Sequence, residues 1–125
     1  MSILAVDDET DNRDLCKFVL ESYGAEVLTV ASAREALSAL SEDPNRFNVL
    51  ICDVGMPEDD GYWLIRQVRL LSAEAGGQTP AIALTAYVGE AERQQAIAAG
   101  FQAHAAKPIE PVQLVLLVAE LAGRP

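Results

Sequence analysis

Four short apolar runs in this 125-residue chain each stop at a residue type that can handle a metal ion or a phosphoryl group. Residues 2–6 lead into Asp7-Asp8-Glu9, and 47–52 lead into Asp53, with Val54-Gly55-Met56-Pro57 behind it. Residues 80–84 end in Thr85-Ala86, and 102–106 end in Lys107-Pro108. Carboxylates brought close together repel unless a cation relieves them. Oxygen donors from one or two carboxylates, a carbonyl and water suit Mg²⁺, with Mn²⁺ as a close substitute. An aspartate can act as nucleophile toward phosphorus, a lysine offers a compact positive charge to a phosphoryl oxygen, and a hydroxyl can hydrogen-bond another. Singly, each residue has an ordinary reading. Asp7 and Asp8 are common turn or cap residues, Thr85 is a β-branched strand residue, and Lys107 is a solvated loop charge. Jointly they carry the parts that one phosphoryl-transfer site needs.

Such a set works only if the chain gathers the strand ends on one edge, and its periodicity predicts that. Apolar runs at 2–6, 26–30, 47–52, 80–84 and 102–106 lack polar alternation, as strands of a parallel sheet covered on both faces do. Between them lie helical segments. The first carries Leu15, Phe18, Val19 and Ser22 on one face and stops at Gly24. The second opens on Ser32 with Glu35 three residues on. The third covers Tyr62 to Leu71, with Trp63, Arg66 and Gln67 at helical spacing, and Gly76-Gly77 breaks the chain after it. The fourth runs Glu90 to Ala99 and stops at Gly100, and the fifth starts at Pro111 with a stripe of Leu114, Leu117, Val118 and Leu121. Five β-α units in a row imply right-handed crossovers and an α/β, doubly wound parallel sheet. Ligands in such sheets bind beyond the carboxyl ends of the strands. Those are the positions of Asp7, Asp8, Asp53, Thr85 and Lys107.

Composition sets the outer bounds. Half the residues are apolar and 22% are charged, as in a globular domain, and the length suits one domain over 1–122, with 123–125 as a tail or the start of a linker. A net charge of −10 excludes nucleic acid as a partner, because its phosphates would be repelled. No signal peptide or membrane span is predicted. Cys16 and Cys52 sit in apolar segments as buried thiols, which fits a cytoplasmic location. A single histidine and no Cys-x-x-Cys exclude a structural zinc site.

Leu4-Ala5-Val6-Asp7-Asp8, Asp53-Val54-Gly55-Met56-Pro57 with Asp60-Gly61, Leu84-Thr85-Ala86 and Lys107-Pro108 resemble the receiver domains of response regulators and hybrid histidine kinases. The resemblance covers essentially the whole chain. It implies a flavodoxin-like sheet of order 2-1-3-4-5 with five helices. It also implies Mg²⁺-dependent transfer from a phosphohistidine, on a histidine kinase or histidine phosphotransfer protein, to Asp53. By the same resemblance Asp8, Asp53 and the Gly55 carbonyl are metal ligands, and Asp7 acts through a metal-bound water. Lys107 contacts the phosphoryl group, ahead of a cis bond to Pro108, and Thr85 is a switch residue. The domain would support its own phosphorylation and dephosphorylation without being an enzyme in the ordinary sense, with Gly55 and Tyr87 at positions that tune phosphate lifetime. His104 stands where the family often has an aromatic switch residue, with an exposed loop histidine as the other reading. Helix 4, strand 5 and helix 5 are implied as a partner or dimer face. The run Glu58-Asp59-Asp60 reads as a solvated loop. Thr85-Ala86-Tyr87 and Lys107-Pro108-Ile109-Glu110-Pro111 look closest to receivers fused to sensor kinases.

Other functions fit less well. A haloacid dehalogenase-type phosphatase needs a carboxylate where Gly55 stands, and a flavodoxin needs a Ser/Thr-rich loop where Asp7-Asp8-Glu9 stands. A degenerate receiver that serves only as an interaction module is the remaining alternative, and the intact acid pair, acceptor, threonine and lysine speak against it.

Overall fold

A computed structural model describes residues 1–86 and 89–123. The elements alternate: β1 (Ser2–Val6), α1 (Thr10–Ser22), β2 (Glu26–Val30), α2 (Ala33–Glu42), β3 (Val49–Asp53), α3 (Gly61–Leu70), β4 (Ala81–Thr85), α4 (Glu90–Ala99), β5 (Ala103–Ala106) and α5 (Pro111–Ala122). A short 3₁₀ turn at Ala73–Ala75, not anticipated from the sequence, leads into the glycine pair. All strand pairings are parallel and the order is β2-β1-β3-β4-β5, so the sheet is doubly wound with its reversal between β1 and β3.

Strand alternation sorts the core into two layers. Ile3, Ala5, Val49, Ile51, Ile82 and Leu84 face α1 and α5, where Cys16, Leu20, Leu114 and Val118 meet them. Leu4, Val6, Leu50, Cys52, Ala81 and Ala83 face the other way, toward Ala36 and Leu40 of α2, Leu64, Ile65 and Val68 of α3, and Ala96 of α4. Both cysteines are buried free thiols, as expected. No helix among the described residues is long and apolar enough to cross a membrane.

Helix ends follow local chemistry. Ser32 caps α2 by accepting from the Glu35 N–H, and Glu35 accepts from the Ala31 N–H. Asp60 caps α3, and Glu110 caps α5 ahead of Pro111. The face expected for α1 needs correction. Leu15 and Phe18 are exposed, Phe18 to 71%, and the buried residues are Cys16, Val19 and Leu20. On α3 the buried residues are Gly61, Leu64, Ile65 and Val68.

One half-buried side chain ties down the lower end of the sheet. The Arg69 guanidinium, at the end of α3, donates to the carbonyls of Gly77 (2.9 Å), Thr79 (2.7 Å) and Gly100 (2.9 Å), and to Gln102 Oε1 (3.0 Å). Gln102 Oε1 also accepts from the Ala81 N–H that starts β4 (2.7 Å). Burial lowers the pKa of Arg69, but an arginine stays charged at any ordinary pH.

Candidate functional site

At the opposite end of the sheet, β1, β3, β4 and β5 deliver the polar residues that the sequence singled out. Asp7 and Asp53 are buried, 5% and 4% exposed, and Asp8 is exposed beside them. One oxygen from each of the three carboxylates lies within 4.8 Å of the others. The backbone fixes their aim. The Glu9 N–H donates to Asp7 Oδ1 (2.9 Å), and the Gly55 N–H donates to Asp53 Oδ1 (2.9 Å). Arg13, one turn into α1, donates to the Asp7 carbonyl (2.7 Å), which secures the turn after β1.

Lys107 bridges the two buried acids. Its Nζ stands 2.9 Å from Asp53 Oδ2 and 3.4 Å from Asp7 Oδ2. Burial opposes the charge on this ammonium, but the hydrogen bond and charge of Asp53, with Asp7 behind, outweigh it and raise its pKa above the ordinary lysine value. Burial raises the Asp7 carboxyl above its usual range. The Glu9 N–H and Lys107 pull it back in part, while the charge of Asp53 adds to the rise. Asp7 Oδ2 is buried and accepts no hydrogen bond, so Lys107 gives it charge without full satisfaction. An all-oxygen set with one unsatisfied buried oxygen matches what a hard divalent cation takes, and the three aspartates fit Mg²⁺ or Mn²⁺.

Thr85 is buried at the end of β4, and its carbonyl accepts from the Lys107 N–H (2.9 Å), which joins the two strand ends. The bond between Lys107 and Pro108 is cis, as the resemblance implies. His104 lies within β5, opposite Ala83, rather than in a loop. Its neighbours Ala103 and Ala105 face α1 and α5, so alternation directs His104 to the α4 side. Tyr87 lies outside the described residues. The acidic run before α3 is more structured than a solvated loop. Asp60 accepts from the Trp63 N–H (2.9 Å), Asp59 pairs with Arg34 (2.7 Å), and Glu58 has a φ of 62°. Arg34 also lies 5.0 Å over the Trp63 ring, which holds this loop against α2.

Sequence reasoning missed the far wall of the site. Asp8, Asp53, Thr85 and Lys107 open into a cleft of about 460 Å³ whose other side includes Tyr62 of α3 and Glu92 of α4. Tyr62 is held edge-on to Phe101, with ring centroids 6.3 Å apart. Burial, then the charges of Asp60 and Glu92, push its hydroxyl pKa up. Gly61 was also missed as a functional position, although Asp60-Gly61 was in view. A Cβ there would meet the Asp53 carbonyl oxygen and Val54 Cα at 2.7 Å and Cys52 Sγ at 3.0 Å. Only glycine lets α3 start this close to the end of β3.

A doubly wound sheet with an acid cluster, a threonine and a lysine at its carboxyl edge is the arrangement of a receiver domain. The chain belongs to the response regulator receiver domain family, matched over residues 3–119. It is 48% identical over 118 residues to an uncharacterized 14.6 kDa protein in the sodA1 3′ region of Leptolyngbya boryana, covering 94% of this chain and 87% of that one. It is 34% identical over 122 residues to the response regulator SaeR of Staphylococcus aureus, covering 98% of this chain but 50% of that protein. The receiver domain of sensor histidine kinase PA1611 from Pseudomonas aeruginosa superposes with a TM-score of 0.86 at 29% identity, covering 98% of both chains, and its structure has a magnesium ion coordinated in the active-site cleft.

Proposed function

We propose that this domain accepts a phosphoryl group on Asp53 from a phosphohistidine of a histidine kinase or phosphotransfer protein, with Mg²⁺ held by Asp7, Asp8 and Asp53. The observation that carries this reading is the position of Lys107 Nζ, 2.9 Å from Asp53 Oδ2, beside three carboxylates whose oxygens gather within 4.8 Å. A lysine in that place neutralises the acceptor before reaction and remains to meet the phosphoryl oxygens afterward.

In the transfer, an oxygen of Asp53 forms a bond to phosphorus as the bond from phosphorus to the donor imidazole nitrogen breaks. The electron pair stays on that nitrogen, and the ring is left neutral once the departing nitrogen or its partner holds a single proton. When bound, the divalent cation supplies charge neutralisation at the phosphoryl oxygens. The Gly55 N–H, already on Asp53 Oδ1, holds the carboxylate in its reactive orientation. The Thr85 side chain is the candidate to bond the new phosphoryl group. Its movement would draw the end of β4 and, through the hydrogen bond between Thr85 and Lys107, the start of the β5–α5 connection. The surface of α4, β5 and α5 is then the output face, with His104 within it.

Incubation with Mg²⁺ and acetyl phosphate, read by intact mass, tests the assignment. Wild type should gain one phosphoryl group, while Asp53→Asn should gain none and still unfold in a single cooperative transition. Full labelling of Asp53→Asn would overturn it.

A further inference from the structure

The cleft above Asp53 has two unlike walls. Asp8, Glu9 and Asp53 line one, with Asp7 buried beside them, where Lys107 and a divalent cation can offset the charge of the aspartates. Glu92 stands in the other, on the first turn of α4, partly buried and facing the same space. No ion pair engages Glu92 among the described residues, whereas Glu90 on the same turn pairs with Arg93 at 3.5 Å and accepts from Gln94 at 3.2 Å. Glu90 does not line the cleft. Its place at the start of α4 gives Glu92 a stabilising position near the helix N-terminus. A Cβ on Gly89 would meet its carboxylate at 2.8 Å, so the side chain turns back over the residue that precedes the helix. Ala86, just past the end of β4, lines the same cleft.

We infer that Glu92 is a selectivity residue for the proposed transfer. From the α4 wall it repels small, doubly charged phosphodonors, so that phosphoryl groups arrive mainly on a protein donor, where contacts outside the cleft offset the repulsion. The inference rests on the phosphoacceptor reading of Asp53. Acetyl phosphate enters as a dianion, and transfer breaks the bond between phosphorus and the acetate oxygen as Asp53 bonds to phosphorus. Acetate leaves with the electron pair as a carboxylate. Phosphoramidate carries less net negative charge at neutral pH and meets less repulsion from the same wall. Like charges across a water-filled cleft interact weakly but measurably, and salt screens them.

The test compares initial labelling rates of the Mg²⁺-loaded domain with acetyl phosphate and with phosphoramidate, at low and high ionic strength. Variants are Glu92→Gln, Glu92→Lys, Glu92→Asp and, as a control, Glu90→Gln. Glu92→Gln should raise the acetyl phosphate rate about three-fold at low salt, Glu92→Lys more, and Glu92→Asp little. The gain should shrink at high salt, and the phosphoramidate rate should move less. A purely structural role at the start of α4 would change both donors alike and be insensitive to salt. Equal shifts for the two donors, or an equal gain in Glu90→Gln, would overturn the inference. Absence of labelling in wild type with either donor would instead sink the phosphoacceptor reading itself.

Discussion

Gly61 and Asp53 meet backbone to backbone: the space a Cβ on Gly61 would take lies 2.7 Å from the Asp53 carbonyl oxygen. The start of α3 is thereby set against the end of β3, and Tyr62 follows at once on the cleft wall. Gly61→Ala must push α3 and β3 apart and should cost between about 1 and 3 kcal/mol. It should also slow Asp53 labelling. Gly55→Ala, whose added Cβ would come no nearer than 3.6 Å to Asp53 Oδ1, should leave stability nearly unchanged. Urea unfolding of the two variants makes the comparison.

Removing Lys107 should harm the metal-free protein most. Lys107→Met leaves Asp53 and Asp7 buried without their shared counter-charge. Breaking a fully buried pair costs several kcal/mol, and the partial exposure of Lys107 reduces this to about 2 kcal/mol. Excess Mg²⁺ should recover much of the loss, because the metal supplies the missing positive charge. Unfolding midpoints with and without Mg²⁺ give the measurement. An equal loss under both conditions would count against a metal at these carboxylates.

Asp7→Asn and Asp8→Asn should differ in a telling way. Both should weaken Mg²⁺ binding. Only Asp7 is buried with an unsatisfied oxygen, so only Asp7→Asn should stabilise the metal-free protein, by on the order of 1 kcal/mol. Asp8 is already in water and gains little. Mg²⁺ titration followed by Trp63 fluorescence, together with chelator-treated unfolding curves, resolves the two effects.

The pH dependence of the metal-free domain follows from the same groups. The folded pKa of Lys107 lies above its ordinary 10.5. Its contribution to stability is therefore complete below that value and lost as pH rises through the higher folded one. The folded pKa of Asp7 lies above its ordinary 3.8. Protonation of Asp7 therefore favours the fold, and its contribution is full below 3.8 and lost as pH rises through the folded pKa. Lowering pH from neutral should bring a gain from Asp7, absent in Asp7→Asn, before other carboxylates begin to cost stability. Raising pH beyond about 10.5 should bring a loss that Lys107→Met lacks. Unfolding midpoints in chelator across this range show both.

Much of the framework was legible because strand ends in a parallel sheet carry their own markers. β1 and β2 began and ended where the apolar runs did, and Gly100 and Pro111 bounded α4 and α5 as expected. β3 started two residues late: Phe47 is core but unpaired, and Asn48 uses its side chain to accept from the Ser2 N–H. The face of α1 was misread because Leu15 and Phe18 outweigh Cys16 on hydrophobicity alone, although Cys16 is the residue that packs under β1. At the site, residues on strand ends could be found from their types, whereas Tyr62 and Glu92 could not. They reach the cleft from the first turns of two helices, and the angle at which a helix returns to the sheet is a tertiary property. The one signal available was position: both lie within a turn of a helix start, at the end that faces the carboxyl edge.

The Arg69 hub gives the domain a mechanical asymmetry. The guanidinium joins the starts of β4 and β5 to the end of α3 and to the Gly100 turn at the end of α4, all at the edge away from the cleft. With one end riveted in this way, the displacement proposed to begin at Thr85 would meet a fixed far edge and tilt these elements rather than slide them. The first turn of α4, where Glu92 stands, lies at the end of that helix away from the Arg69 anchor.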